Sequence, residues 1–259
     1  MKDYEVYSSL KVPKNSKIIV RLDGRSFHQL ARDLNLVKPY DENFYRVFSK
    51  VCKDLFNEFS ASFVYAFSDE ISLLLDEIPF DGRIEKINSV IASFASSSFV
   101  MHYDTQFKKP PAFDSRIIPV NDEDILTYFK WRQDESWRNC VNSHGISYLK
   151  SKYPNNEAND KIKGMKLNEI HELLFQNGIN LNDVETYKKR GIAVYRKYKK
   201  IVGFNKKENK DQISYRTYVY ADWEIPKFSE KFFKEIKVIK RALFLKYSTT
   251  MKKNLMKFA

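Results

Sequence analysis

Two apolar segments of this chain end in acidic residues, and this pattern constrains the fold more than any other feature of the sequence. Residues 17–22 stop at Asp23, and residues 62–67 run into Asp69 and Glu70, after which a further apolar segment begins at once. Carboxylates at the ends of buried strands are costly unless a cation neutralises them. The sequence therefore predicts either a cation site at these strand ends or a pair of tight acidic turns.

Both interpretations have a physical basis. Two Mg²⁺ ions about 3.5–4 Å apart, held by two carboxylates and by substrate phosphates, are the usual solution in phosphoryl-transfer sites. The alternative is that Asp23 and Asp69 only form turns, because Asp-Gly and Ser-Asp pairs favour turns.

The order of the first six elements favours the cation site. The spacing of apolar residues predicts a strand at 17–22, a helix at 42–58, strands at 62–67 and 71–75, a helix at 82–101 and a strand at 113–120. This βαββαβ order predicts an α+β fold of the polymerase-palm or ferredoxin-like type, an antiparallel sheet with both helices on one face. In that sheet Asp23 lies one strand spacing, about 5 Å, from the hairpin that carries Asp69.

The second half of the chain is predicted to form a helical and hairpin lobe. The pattern predicts a helix from 121 to about 145, a polar hinge at 154–160, a helix at 166–176, a hairpin of strands at 191–198 and 213–221, and a helix at 228–245. We therefore expect a palm-like catalytic domain at 1–145 and a C-terminal lobe at 146–259, packed on the palm.

Charge and composition limit the partners and the compartment. The net charge of +12 and the pI near 9.4 indicate a polyanionic partner, although a generally lysine-rich proteome is the alternative. No apolar run approaches the roughly 18–20 residues that cross a bilayer, so no membrane partner is expected. The N-terminus lacks the apolar segment of a signal peptide, and Cys52 and Cys140 form no metal or disulfide motif, so we expect a cytoplasmic protein.

Several basic residues are candidates for phosphate contacts. Gly24 lets the backbone approach a ligand closely, and Arg25 and His28 can donate to phosphate oxygens, although a structural role for His28 is the alternative. Lys38 lies in a loop before Pro39 and is a further candidate for contact with a triphosphate. Arg83 and Lys86 stand one turn apart at a helix start, where they bind either an anion or the neighbouring carboxylates of Asp81 and Glu85.

Six segments, in order and spacing, resemble motifs of the tRNA-His guanylyltransferase family: Arg21–His28, Lys38–Asp41, Phe67–Ser72, Ala92–Ser97, Phe113–Arg116 and Trp131–Gln133. Residues 163–191 are similar to the C-terminal part of that family. The resemblance implies a palm that adds nucleotides to the 5′ end of tRNA, opposite in direction to conventional polymerases. A nucleoside triphosphate (ATP or GTP) activates the 5′-monophosphate, and the 3′-hydroxyl of an incoming nucleotide then attacks it.

The resemblance also implies roles for individual residues. Asp23, the Gly24 carbonyl and Asp69 would hold two Mg²⁺ ions with support from Glu70, and Asp23, Asp69 and Glu70 would be catalytic. The implied nucleotide-binding residues are Asp23, Gly24, Arg25, Ser26, Phe27, His28, Lys38, Ser68, Asp69, Arg83 and Lys86. The expected tRNA contacts are Arg138, Asn139, Lys188, Lys189 and Arg190, and a homodimer or homotetramer is implied.

One segment is similar to a branch of the family. After Gln133 the chain reads Asp-Glu-Ser-Trp-Arg-Asn-Cys, where the eukaryotic enzymes carry a His-Ile-Asn-Asn run. This version resembles the guanylyltransferase-like branch of archaea and bacteria, in which template-directed 5′-end addition or repair is common.

Two rival functions stay open. A diguanylate-type nucleotide cyclase shares the palm and an acidic hairpin, although a cyclase gains nothing from a strong positive charge. The third possibility is a catalytically inactive tRNA-binding protein. It is disfavoured because the acidic residues at the strand ends are intact in a basic protein.

Overall fold

The computed structural model describes residues 1–14, 16–205 and 209–235. The strands are β1 (Lys17–Gly24), β2 (Phe63–Phe67), β3 (Glu70–Leu75), β4 (Phe113–Val120), β5 (Ile192–Asn205) and β6 (Lys210–Asp222). The α-helices are α1 (Phe27–Asp33), α2 (Glu42–Glu58), α3 (Ile84–His102), α4 (Asp122–Lys152), α5 (Asn155–Ile162), α6 (Leu167–Gln176) and α7 (Thr186–Arg190). Lys2–Tyr4 and Phe80–Gly82 form 3₁₀ turns, and residues 230–235 are helical.

These strands form one antiparallel sheet in the order β4-β1-β3-β2-β5-β6. β1 lies between β3 and β4, so that the strand ending in the first acidic residue pairs directly with the acidic hairpin. The predicted α+β class and the antiparallel sheet are confirmed. None of the helices in the described ranges is long and apolar enough to cross a membrane.

Alternating side chains of the central strands point to opposite faces of the sheet and contribute to two hydrophobic cores. Ile18, Val20 and Leu22 of β1 point to the face covered by α2 and α3, whereas Ile19 points to the face covered by α4 and by Phe228. The first two long helices therefore share one face, as expected for the palm. The opposite face, which the sequence left unassigned, is covered by α4 and residues 225–233.

The second half of the chain extends the palm sheet. β5 pairs with β2 through Val64 and Val194, and the β5–β6 hairpin continues to Asn205 and Lys210, well beyond the expected strands. Residue 145, the expected end of the first domain, lies inside α4. The division at 145/146 stays a prediction, although a continuous helix and a shared sheet connect its two sides.

The structure corrects the element predictions at a few places. The expected polar hinge at 154–160 is helix α5, which begins after Pro154 and buries Ala158. Proline is tolerated at a helix start because no intrahelical donor is lost there. The short helices α1 and α7 were not predicted. Of the final helix expected at 228–245, residues 230–235 are helical, and positions beyond 235 lie outside the described residues.

Candidate active site

The ladder between β1 and β3 brings the acidic residues together. Asp23 lies opposite Glu70, and the Gly24 amide donates to the Asp69 carbonyl oxygen at 3.0 Å. Ser68, the other residue of the turn, has φ of 51°, and its amide donates to the hydroxyl of Tyr45 at 3.0 Å. Tyr45 of α2 thus ties the acidic hairpin to the helix behind it.

Burial and neighbouring negative charge disfavour the ionised forms of both Asp23 and Asp69. Burial raises the pKa of Asp69, and the negative charge of Asp23 raises it further. Burial also raises the pKa of Asp23, and the negative charge of Asp114 raises it further. No ion pair joins Asp23 or Asp69 to a basic side chain in the part of the chain that the structure describes. A bound cation would relieve this repulsion.

Asp23 and Asp69 suit magnesium, although they do not make a complete cage. Among the described residues, no group of three or more His, Cys, Asp or Glu side chains could hold a metal by itself. Mg²⁺ commonly binds through one or two carboxylates, several waters and substrate phosphates, so a two-carboxylate site fits this ion when a nucleotide is present.

Glu70 has a different partner. Its two carboxylate oxygens accept hydrogen bonds from Nε and Nη2 of Arg132 in α4, at 2.8 and 2.9 Å. Both side chains are buried. Burial raises the pKa of Glu70, and Arg132 opposes that rise. This pair anchors α4 to the acidic hairpin.

The backbone after Asp23 makes a close turn. A Cβ atom at Gly24 would lie 2.5 Å from the ring of Phe27, so only glycine allows this ring to pack there. Phe27 is buried among the aromatic rings of α2 and α3. The Arg25 amide donates to the Ala112 carbonyl oxygen at 2.8 Å. The side chains of Arg25 and Ser26 are exposed.

A cavity of about 310 Å³ opens beside the hairpin. Five residues predicted from the sequence as nucleotide contacts line it: Phe27, His28, Lys38, Ser68 and Asp69. Five other polar lining residues were not predicted: Tyr40, Asp41, Tyr45, Ser136 and Ser143. They lie in α2, in α4 and in the loop before α2. The spacing of apolar residues predicts such helices but does not show which of their faces meet.

Arg83 and Lys86 do not line this cavity. Arg83 is the N-cap residue of α3, whereas Ser96, further along α3, accepts a hydrogen bond from the Phe113 amide, and Phe113 lies opposite Gly24 at the site end of the sheet. The thirteen helical steps from Arg83 to Ser96 span about 20 Å. Asp81 pairs with Lys11, and the Lys86 ammonium lies over the Phe80 ring. The fold therefore separates these two basic residues from the acidic pair within this chain.

The expected tRNA contacts divide into two groups. Asn139 and Lys188 line the cavity with Asp69, although both were expected to contact tRNA. Lys188 is distant from Asp69 along the chain, but the pairing of β5 with β2 brings α7 back to the acidic hairpin.

Lys188 pairs with Glu185 at 2.9 Å, and the remaining three tRNA candidates also have protein partners. Arg138 is exposed and pairs with Glu135 at 2.7 Å. Lys189 donates to the Asn182 carbonyl oxygen at 2.7 Å, and Arg190 to that of Ile225 at 3.3 Å.

An antiparallel palm whose two carboxylates have no ion-pair partner among the described residues, beside a cavity lined by basic and aromatic residues, is typical of nucleotidyl-transferring enzymes of the palm class. A family model described as tRNAHis guanylyltransferase matches residues 1–121. A probable tRNA(His) guanylyltransferase of Dictyostelium discoideum is 32% identical over 249 residues, covering 90% of this chain and 95% of that relative. This chain belongs to the tRNAHis guanylyltransferase family.

Two solved structures are similar over nearly the whole chain. A bacterial tRNA(His) guanylyltransferase-like protein in complex with GTP has a TM-score of 0.69 at 26% identity, with coverage of 92% of this chain and 95% of the other. Such a protein in complex with ATP has a TM-score of 0.72 at 25% identity, with coverage of 92% and 96%.

Proposed function

We propose that this protein is a Mg²⁺-dependent, template-directed nucleotidyltransferase that adds nucleotides, guanosine in particular, to the 5′ end of tRNA in the 3′-to-5′ direction. One observation supports this proposal above the others. Asp23 and Asp69 form no ion pair with a basic side chain among the described residues, and they lie beside a cavity of nucleotide size in a chain of this family. The proposed setting is tRNA-His maturation or 5′-end repair, as in the guanylyltransferase-like branch.

The cavity is the proposed site of GTP and ATP. Its volume of about 310 Å³ lies at the lower end of the range for small-molecule sites. Lys38 and Lys188 supply cationic donors for phosphate oxygens, His28 supplies a ring N–H donor, and the rings of Tyr40 and Tyr45 supply apolar surface for a base or a sugar. The bacterial relatives were solved with these two nucleotides, which supports the assignment.

Asp23, Asp69 and the Gly24 carbonyl are the proposed holders of magnesium, and the resemblance implies two ions. When bound, the metal stabilises negative charge on the reacting phosphates and orients the attacking and leaving oxygens. The protein groups hold the nucleotide against the carboxylates, and Tyr45 fixes the hairpin through the Ser68 amide.

Glu70 is proposed as a positioning residue. Because Arg132 occupies both of its oxygens, Glu70 acts by locking α4 to the hairpin and by placing a guanidinium near Asp23.

The basic surface beyond the cavity is the proposed contact for the tRNA body. Arg138, Lys189 and Arg190 remain candidates there, whereas Asn139 and Lys188 are reassigned to the nucleotide cavity. Assembly as a dimer or tetramer and a cytoplasmic location also remain proposals, and light scattering tests the first of them.

The deciding experiment supplies labelled GTP with 5′-truncated and full-length tRNA, with and without Mg²⁺, and sequences the 5′ ends. We expect Mg²⁺-dependent addition that matches the opposing 3′ strand. Cyclic dinucleotide formed from GTP alone would instead indicate the cyclase. Tight tRNA binding without any incorporation would indicate an inactive binding protein.

A further inference from the structure

Charged side chains alternate on the sheet surface next to the acidic pair. On the face toward α4, Asp23 lies opposite Asp114, and one step back Arg21 lies opposite Arg116. Asp114 and Arg116 are exposed and pair with each other at 3.3 Å, while Arg21 and Asp23 are half-buried. The surface of β1 and β4 beside Asp23 therefore carries two guanidinium groups that solvent or a ligand can reach.

Trp131 of α4 stands over this surface. It is 52% exposed, which is high for such a large apolar side chain in a long packed helix. The guanidinium of Arg132 lies 4.2 Å from the centre of a Trp131 ring, and that of Arg21 lies 5.8 Å away. Because Glu70 accepts two hydrogen bonds from Arg132, the guanidinium beside the indole is held in place. An exposed aromatic ring beside two cations suits stacking on a nucleobase whose phosphate is near.

This surface and the nucleotide cavity use different carboxylates. Asp69 lines the cavity, whereas Asp23 belongs to the row of β1 and β4 side chains. The Gly24–Asp69 hydrogen bond joins the two places directly. A ligand on the β1–β4 surface therefore meets a nucleotide in the cavity at the proposed metal site.

We propose that Trp131, Arg21 and Arg116 form a platform for the 5′-terminal nucleotide of the RNA substrate, with the base stacked on Trp131 and the 5′-phosphate held by the two arginines. This inference rests on the proposed function. The platform is an open surface, and a free nucleotide needs a concave site that buries most of its area. The end of a duplex, held elsewhere along its length, needs only such a surface.

The test measures binding of two loop-labelled RNA hairpins, identical except for a 5′-monophosphate or a 5′-hydroxyl, by fluorescence anisotropy. For the wild type we expect tighter binding of the phosphorylated hairpin. Arg116→Gln should lose most of this preference. Trp131→Leu should weaken binding of both hairpins by about tenfold, because stacking on an aromatic side chain contributes about 1–3 kcal/mol per base. Trp131→Phe should recover most of that loss.

Two controls make the result specific. Lys130→Gln removes an exposed charge from the neighbouring position of α4 and should leave the 5′-phosphate preference intact. The affinity for GTP without RNA should be unchanged in Trp131→Leu.

Wild-type RNA affinity in Trp131→Leu, or a loss of GTP affinity alone, would overturn the platform and in the second case indicate a nucleoside triphosphate there. A wild type that discriminates between the hairpins but incorporates no GTP would refute the proposed function and leave the platform standing.

Discussion

Removal of the Arg132 side chain should destabilise this protein far more than removal of an exposed arginine from the same helix. Arg132 and Glu70 have 7% and 11% side-chain exposure, so Arg132→Met leaves a buried carboxylate without its partner. Breaking one partner of a buried pair costs about 3–5 kcal/mol. For a chain of this size that corresponds to a fall in Tm of roughly 6–20 °C. Arg138, whose pair with Glu135 is exposed, provides the matched control and should cost about 1 kcal/mol or less.

The assay is thermal and urea unfolding of Arg132→Met, Glu70→Gln, the double variant and Arg138→Met, followed by circular dichroism. The double variant should be more stable than Arg132→Met, because no buried charge is left unpaired. In Arg132→Met the pKa of Glu70 rises further above its unfolded value. Its folded state then holds the proton more tightly than the unfolded state. Stability should therefore fall as pH increases from about 4.5, and the gap to the double variant should widen toward neutral pH. Equal stability of Arg132→Met and Arg138→Met at pH 7 would refute the argument.

Three further outcomes follow from the acidic pair and the cavity. Asp23→Asn and Asp69→Asn should each lower nucleotide addition on the order of a thousandfold, measured with labelled GTP in Mg²⁺, because each removes a metal ligand. The pKa of Asp69 is raised in the folded state, so its negative charge reduces the stability of the fold as pH rises. Metal-free Asp69→Asn should therefore melt at a higher temperature than the metal-free wild type at pH 7. An unchanged or lower Tm would contradict this. Lys188→Ala should weaken GTP binding about tenfold or more, because Lys188 lines the cavity. Lys189 does not line it, so Lys189→Ala should leave GTP binding unchanged. Titration calorimetry with GTP in the absence of RNA measures both affinities.

Periodicity was sufficient for the elements that build the palm. Apolar spacing predicted α2 at residues 42–58, and the structure has Glu42–Glu58. The closeness of Asp23 to the acidic hairpin also followed from element order, because a βαββαβ sheet leaves few places for β1. Antiparallel pairing then sets the register.

Contacts between distant segments were not predictable in this way. The cavity is lined by the hairpin, α1, α2, α4 and Lys188, and no local pattern specifies how these segments meet. The position of Lys188 beside the acidic hairpin could not be predicted, because it depends on β5 adding to the palm sheet. Arg83 and Lys86 were grouped with the phosphate contacts for their helix position, but α3 carries its start away from the site. The short helices α1 and α7 lack room for a full apolar repeat.

The distribution of positive charge around the carboxylates explains why two of the four are suited to hold metal. Glu70 is neutralised by Arg132, and Asp114 by Arg116. Asp23 and Asp69 have no such partner among the described residues, and each sits where burial raises its pKa. If arginines had neutralised all four, a cation would gain little by binding, because its attraction to the site would be offset by the fixed positive charges. The fold thus uses one buried ion pair to hold α4 in place, while Asp23 and Asp69 have no ion-pair partner among the described residues. A site arranged in this way gives up stability in the metal-free state for affinity toward a cation and the phosphates that accompany it.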